Sequence, residues 1–163
     1  MIDQYFEVYM RGAEYQIDET DRQILKRLQK DARTPFLEIA RDLNLSGGTV
    51  HQRVDRMREQ SLIKGSKFVI DPRKLGYGVT ALLGVHLTQA QVYPELLKKI
   101  QKFPSVIEAH YTTGTYAIML KVCARDIQDL YDFLTNKLQR IEGVSSTETF
   151  ICLSSPIDRS VEP

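Results

Sequence analysis

Residues 36–55, FLEIARDLNLSGGTVHQRVD, carry apolar side chains at helical spacing on both sides of a short interruption, and no other stretch constrains the fold as strongly. In the first half Leu37, Ile39, Ala40 and Leu43 share a face, with small Ala40 where a second helix must cross closely. Asn44 stands where the chain needs a left-handed backbone, which Asn tolerates better than most residues, and Leu45 returns to the core. Ser46 is placed to cap the next helix. That helix buries Val50, Val54 and Met57 and turns Thr49, His51, Gln52, Arg53 and Arg56 outward or to its margin. Arg can grip guanine through two hydrogen bonds, Gln can do the same to adenine, and Thr can meet a phosphate or a thymine methyl. Gly47 and Gly48 cost the first turn about 1 kcal/mol each relative to Ala. They also leave an amide-rich helix N-terminus bare for close approach to phosphate. Such a helix-turn-helix puts its second helix in the major groove of DNA.

The flanks extend this domain. Asp18 precedes the run Ile24, Leu25, Leu28, and the charge of Asp21 favours a helix start, so a helix is predicted over about residues 19 to 31. Pro35 opens the next helix where its missing N–H costs nothing. After Gln60, Gly65 and Ser66 sit between Leu62-Ile63 and Phe68-Val69-Ile70, the composition of a two-stranded wing with Lys64 and Lys67 at its tip, placed to touch phosphate. Asp71-Pro72 ends the strand and residues 73–78 form a linker with two glycines. Formal charge follows the same boundary: residues 17–74 carry +4, residues 75–163 carry −1 and residues 1–16 carry −2. Positive charge gathers around the proposed DNA reader, as release of counterions from phosphate favours.

The second half alternates element types. Apolar runs at Val79 to Leu87, Val106 to Tyr111, Tyr116 to Cys123 and Ser146 to Leu153 read as strands, and the stretches Tyr93 to Phe103 and Ile127 to Ile141 read as helices. Leu96, Leu97 and Ile100 face one way on the first helix, and Ile127, Leu130, Tyr131, Leu134, Leu138 and Ile141 on the second. The order β-α-β-β-α-β predicts a ferredoxin-like domain, two helices over one face of a four-stranded antiparallel sheet. The other face is left bare, and self-association across a two-fold axis is the economical way to cover it. Paired recognition helices would then meet two half-sites. The expected class is therefore α+β: an extension over residues 1–16, a winged helix-turn-helix over 17–72, a linker over 73–78 and a ferredoxin-like domain over 79–163.

Several functions are disfavoured. The chain has no phosphate-cradling glycine loop, no nucleophile with a base nearby and no zinc-ligand spacing among His51, His86, His110, Cys123 and Cys152, so neither an enzyme nor a metal site is expected. The two cysteines lie in apolar runs and read as buried thiols. RNA-recognition domains share the β-α-β-β-α-β order but stack bases on aromatics of the central strands. Here those strands offer Tyr111 and Tyr116 at most. No stretch approaches the roughly 20 apolar residues of a membrane span, and MIDQYFEVYMRG lacks an export pattern, so a cytoplasmic protein is expected.

From Ile17 to Pro163 the chain resembles the Lrp/AsnC family of transcription regulators. The resemblance is carried by Ile17-Asp18 with Asp21 and Ile24-Leu25, by Asp31-Ala32-Arg33 followed by Ile39-Ala40 and Leu43, and by Ser46, Thr49-Val50, Arg53-Val54 and Ile63-Lys64-Gly65. Asp71-Pro72 with Leu75-Gly76 is similar to the family's domain junction. SGGTVHQRV, YTTGTYAI and STET look closest to its asparagine-responsive AsnC branch. From the residues themselves, DNA contacts are expected at Ser46, Gly47, Gly48, Thr49, His51, Gln52, Arg53, Arg56, Lys64 and Lys67, and the resemblance agrees with a DNA-binding role. It also implies homodimers joined through their sheets, commonly four in an octamer, and an amino-acid effector bound between dimers. The effector site falls on Thr112, Thr113, Gly114, Thr115, Tyr116 and Ala117, facing Ser146, Thr147, Glu148 and Thr149 of a last strand. Backbone amides around Gly114 suit a carboxylate, and hydroxyls with Glu148 suit an ammonium group. Many relatives carry Gly-Asp-Tyr-Asp at this turn, where Thr115 and Ala117 stand here. Asparagine is the first expected effector, with leucine or methionine next, and no other cofactor is expected.

Overall fold

The computed structural model describes residues 16–163, so the expected N-terminal extension lies, apart from Gln16, outside the described residues. Among the described residues two compact units emerge, one holding residues 16–68 together with Asp158–Pro163 and the other Val69–Ile157.

In the first unit, helices α1 (Glu19–Lys30), α2 (Phe36–Asp42) and α3 (Gly47–Glu59) close over Ile24, Ile39, Ala40, Val50, Val54 and Met57, all essentially buried. α1 opens with a reciprocal cap: the Asp21 N–H donates to Asp18 Oδ1 at 2.8 Å, and the Asp18 N–H donates to Asp21 Oδ2 at 3.3 Å. Pro35 occupies the α2 cap in extended conformation, one residue earlier than the sequence suggested. Asn44 adopts φ 54°, and the Leu45 N–H then reaches back to the Ala40 carbonyl at 2.8 Å, which makes the tight turn. Leu37, expected in the core, is 63% exposed. Its tip lies over Gly47, where an added Cβ would stand 2.7 Å from Leu37 Cδ2.

The expected wing is corrected. Leu62 and Ile63 both donate their N–H groups to the Met57 carbonyl, closing α3, and Ile63 packs against the helical core. The first arm of the hairpin is thereby consumed, and residues 64–71 form no strand. Phe68, Val69 and Ile70 are 71%, 88% and 60% exposed on an extended segment, with Lys64 and Lys67 just before them. The C-terminal residues also depart from expectation, because the Gln29 amide donates to the Val161 carbonyl at 3.0 Å and Asp158–Pro163 group with the first unit. An open, polar hollow of about 510 Å³ separates this tail from Lys26 and Lys30 on α1.

The second unit is a four-stranded antiparallel sheet of β1 (Val79–Leu87), β2 (Val106–Tyr111), β3 (Ile118–Ala124) and β4 (Val144–Ile151), in the order β2-β3-β1-β4. Two helices, α4 (Tyr93–Ile100) and α5 (Ile127–Phe133), the latter continued by a π turn at Leu134–Leu138, pack on one face over Leu83, Val85, Ile118, Leu120 and Val122. Alternation along the strands sends Leu82, Gly84, His86, Met119, Lys121, Glu148 and Phe150 to the other face. Leu82 and Phe150, directly paired across β1 and β4, stay 38% and 43% exposed there. Cys123 is buried as expected, whereas Cys152 is half-buried; both are free thiols.

Candidate nucleic-acid interface and effector cavity

Ser46 Oγ accepts the Thr49 N–H at 3.0 Å and pairs with the Thr49 hydroxyl at 2.8 Å, which sets the start of α3. An added Cβ on Gly48 would meet nothing closer than Ser46 Oγ at 3.8 Å, so packing does not require glycine there. Gly48→Ala is therefore expected to raise stability by about 1 kcal/mol in urea unfolding while weakening duplex DNA binding in a shift assay. Unchanged DNA affinity would show that the bare turn has no role at phosphate.

Along α3 the sequence-predicted contacts divide. Gln52 and Arg56 are exposed. His51 is exposed too, but its Nδ1 lies 2.7 Å from Asp55 and its ring meets Phe36 edge-on. Arg53 differs. Its Nη1 donates to Asp18 Oδ2 at 2.7 Å and Asp21 Oδ1 at 2.9 Å, and the Asp21 side chain is only 1% exposed. The amide of Asp21 and the guanidinium together hold the Asp18 carboxyl below its ordinary pKa, while the two carboxylates push Arg53 up. Arg53 thus locks α3 onto the start of α1. Sequence reading missed Asp18 and Asp21 as its partners; a buried acid at the third position of a capping box was the available signal.

The second candidate site is a cavity of about 240 Å³ lined by His86, Leu87, Gln89, Ala90, Tyr111, Thr112, Thr113, Gly114, Thr115 and Ala117. Five of the six expected turn residues line it. The Thr112 N–H donates to the Ala117 carbonyl at 3.0 Å and the Thr112 hydroxyl donates to the Tyr116 carbonyl, closing the turn at its base. Among the described residues, the amides of Thr113, Gly114 and Thr115 donate to no backbone carbonyl, and all three residues are exposed. Nothing lies within 4 Å of a Cβ built on Gly114. His86, Leu87, Gln89 and Ala90 come from the end of β1 and the loop after it. Sequence reading missed them, although Val85 pairs with Ile118 and so sets the end of β1 beside the turn.

Ser146, Thr147, Glu148 and Thr149 do not line this cavity. β4 lies beyond β1 in the sheet, two strand spacings from β3, or about 10 Å. Gln139 donates to the Thr147 hydroxyl at 2.8 Å. Tyr116 bridges the gap: its side chain leaves the cavity, crosses β1 over Gly84 and donates its hydroxyl to Glu148 Oε2. The Glu148 carboxylate, expected to receive an ammonium group, is engaged by that phenol. That hydrogen bond holds the phenol proton and pushes the Tyr116 pKa upward, and the carboxylate charge adds to the effect.

Two family descriptions match the chain: an AsnC-type helix-turn-helix domain over residues 17–58 and an Lrp/AsnC ligand binding domain over residues 80–162. Regulatory protein AsnC of Haemophilus influenzae is 46% identical over 149 residues, 91% of this chain and 99% of the relative. Regulatory protein AsnC of Escherichia coli K12 is 42% identical, covering 91% and 98%. The solved structure of Escherichia coli AsnC superposes with a TM-score of 0.88 at 42% identity, over 91% of this chain and all of that one. A transcriptional regulator of Neisseria meningitidis, solved as an L-Met complex, shares the fold with a TM-score of 0.85 at 19% identity, over 91% and 97%.

Proposed function

The chain belongs to the Lrp/AsnC family of transcription regulators, and from that premise we propose how its two units divide the work. A helix-turn-helix and an amino-acid-binding domain make it a DNA-binding regulator rather than an enzyme. Among the described residues no helix is long and apolar enough to cross a membrane. As a reader of chromosomal DNA it works in the cytoplasm.

α3 enters the major groove with Gln52 and Arg56 towards base edges and with Ser46, Gly47, Gly48 and Thr49 against phosphate. Lys64 and Lys67 add phosphate contacts from the extended segment. Arg53 serves the same surface indirectly, by holding α3 in place. Arg56→Ala is expected to weaken specific binding by about 1 to 3 kcal/mol. Duplex DNA should outcompete single-stranded RNA in a shift assay.

The effector enters the cavity at the Thr112–Ala117 turn. The observation that carries this reading is the lining itself: exposed turn amides with no backbone acceptor suit a carboxylate, and no Lys, Arg, Asp or Glu lines the cavity. A ligand with a charged side chain would lose hydration there without a partner. A small, uncharged amino acid fits: asparagine first, with leucine or methionine behind it. Calorimetric titration of the full chain with the twenty amino acids tests this, and asparagine is expected to bind while lysine and glutamate do not. Silence from all twenty would sink the reading.

A second copy of the chain covers the bare sheet face. Each copy presents Leu82 and Phe150 on its sheet, so a two-fold pairing of sheets buries this face. Ser146–Thr149 of another dimer can then face the turn, as an octamer of four dimers allows.

A further inference from the structure

β1 carries a glycine in mid-strand, VTALLGVHL, where glycine normally weakens a sheet and often marks close approach by another group. The group is the Tyr116 ring: a Cβ on Gly84 would stand 2.4 to 2.6 Å from three of its carbons. This ring has little freedom to step aside. Its carbonyl end is tied to the Thr112 hydroxyl, its phenol end to Glu148, and His86 and Phe150 flank it with ring centroids 5.1 and 6.2 Å away. One end of Tyr116 therefore belongs to the effector turn and the other to the bare sheet face, and His86 touches both because it also lines the cavity.

We propose that Tyr116, seated in the notch left by Gly84 and held by Glu148, is the positioning residue that sets the effector turn and couples its occupancy to the sheet face. The inference rests on the effector reading above. When an amino acid draws the turn amides onto its carboxylate, the carbonyl of Tyr116 moves with them. The ring and its bond to Glu148 then shift on the surface where Phe150 awaits a second copy. Gly84 lies outside the cavity lining, and the group that an added Cβ there meets is the Tyr116 ring.

The test measures three quantities on the full chain: asparagine affinity by calorimetry, thermal stability, and sedimentation with and without saturating asparagine. Tyr116→Phe keeps the ring in its notch and removes only the bond to Glu148. It is expected to fold with little change in melting temperature, to bind asparagine about tenfold more weakly, roughly 1.4 kcal/mol, and to lose most of the asparagine-dependent change in sedimentation. Gly84→Ala should weaken asparagine comparably, and the double variant Gly84→Ala/Tyr116→Ala should bind no worse than Tyr116→Ala alone, because the added methyl then has no ring to displace. If Gly84→Ala does not fold, Tyr116→Phe still decides the matter. A wild-type chain that binds asparagine alongside a Tyr116→Phe variant with equal affinity and equal sedimentation response overturns the latch alone. A wild-type chain that binds none of the twenty amino acids overturns the effector reading first, and with it the coupling.

Discussion

Arg53→Ala is expected to lower the stability of the first unit by about 2 to 4 kcal/mol, measured by urea unfolding. Removing the guanidinium takes away the donor that bridges Asp18 and the Asp21 carboxylate, the latter 1% exposed. Breaking a fully buried pair this way costs about 3 to 5 kcal/mol. The lower figure applies because 31% of the Arg53 side chain remains in water. Acid should bring the variant and the wild type closer together. Asp18 has its pKa lowered in the fold, so its contribution is complete above the unfolded-chain value, about 3.9, and fades as pH falls through the folded value. Without Arg53 that acid limb becomes shallower, while the Asp21 amide, the larger cause, keeps part of it. Arg56→Ala should leave stability within about 0.5 kcal/mol and act on DNA affinity instead. Wild-type stability in Arg53→Ala, with only DNA binding lost, would make Arg53 a base reader and refute the brace.

Phe150→Glu carries the second large effect: the dimer dissociation constant should rise at least about a hundredfold, the 2.7 kcal/mol typical of losing one aromatic anchor. Phe150 is 43% exposed on β4 and pairs with Leu82 on the adjacent β1. In one chain the substituted side chain can reach water, so the fold should survive with unchanged circular dichroism. Between two sheets it would bury a carboxylate two residues from Glu148, on the same face. Sedimentation equilibrium at micromolar concentration reads the outcome directly. A variant that dimerises as tightly as the wild type would mean that the second copy docks elsewhere.

Much of the fold was legible because its signals are local. Ala40, Asn44, Ser46 and the stripe Val50, Val54, Met57 each act within one or two helical turns, and all take the places their chemistry demands. The order of strands and helices in the second unit was legible for the same reason, since periods of 2 and 3.6 are written residue by residue. The wing was misread because Leu62 and Ile63 suit a strand and a helix closure equally well, and only the Met57 carbonyl chose between them. Arg53 reads as a DNA contact from sequence because an arginine on an outward face looks the same whether or not a carboxylate 32 residues earlier has claimed it. Glu148 was assigned to the ligand for a similar reason: nothing near it in the chain announces the phenol that crosses β1 to reach it.

Sequence by itself determined the family, the two domain types, the helix-turn-helix and the turn that faces the cavity, because all of these rest on patterns within a few residues. Tertiary structure alone decided which charged groups are already spoken for. Arg53 is committed to Asp18 and Asp21, Glu148 is committed to Tyr116, and Gly84 is the vacancy that lets Tyr116 pass. The physical reason is range: periodicity and capping act along the chain, whereas a charge or a ring finds its partner through space, across separations that only the folded backbone sets.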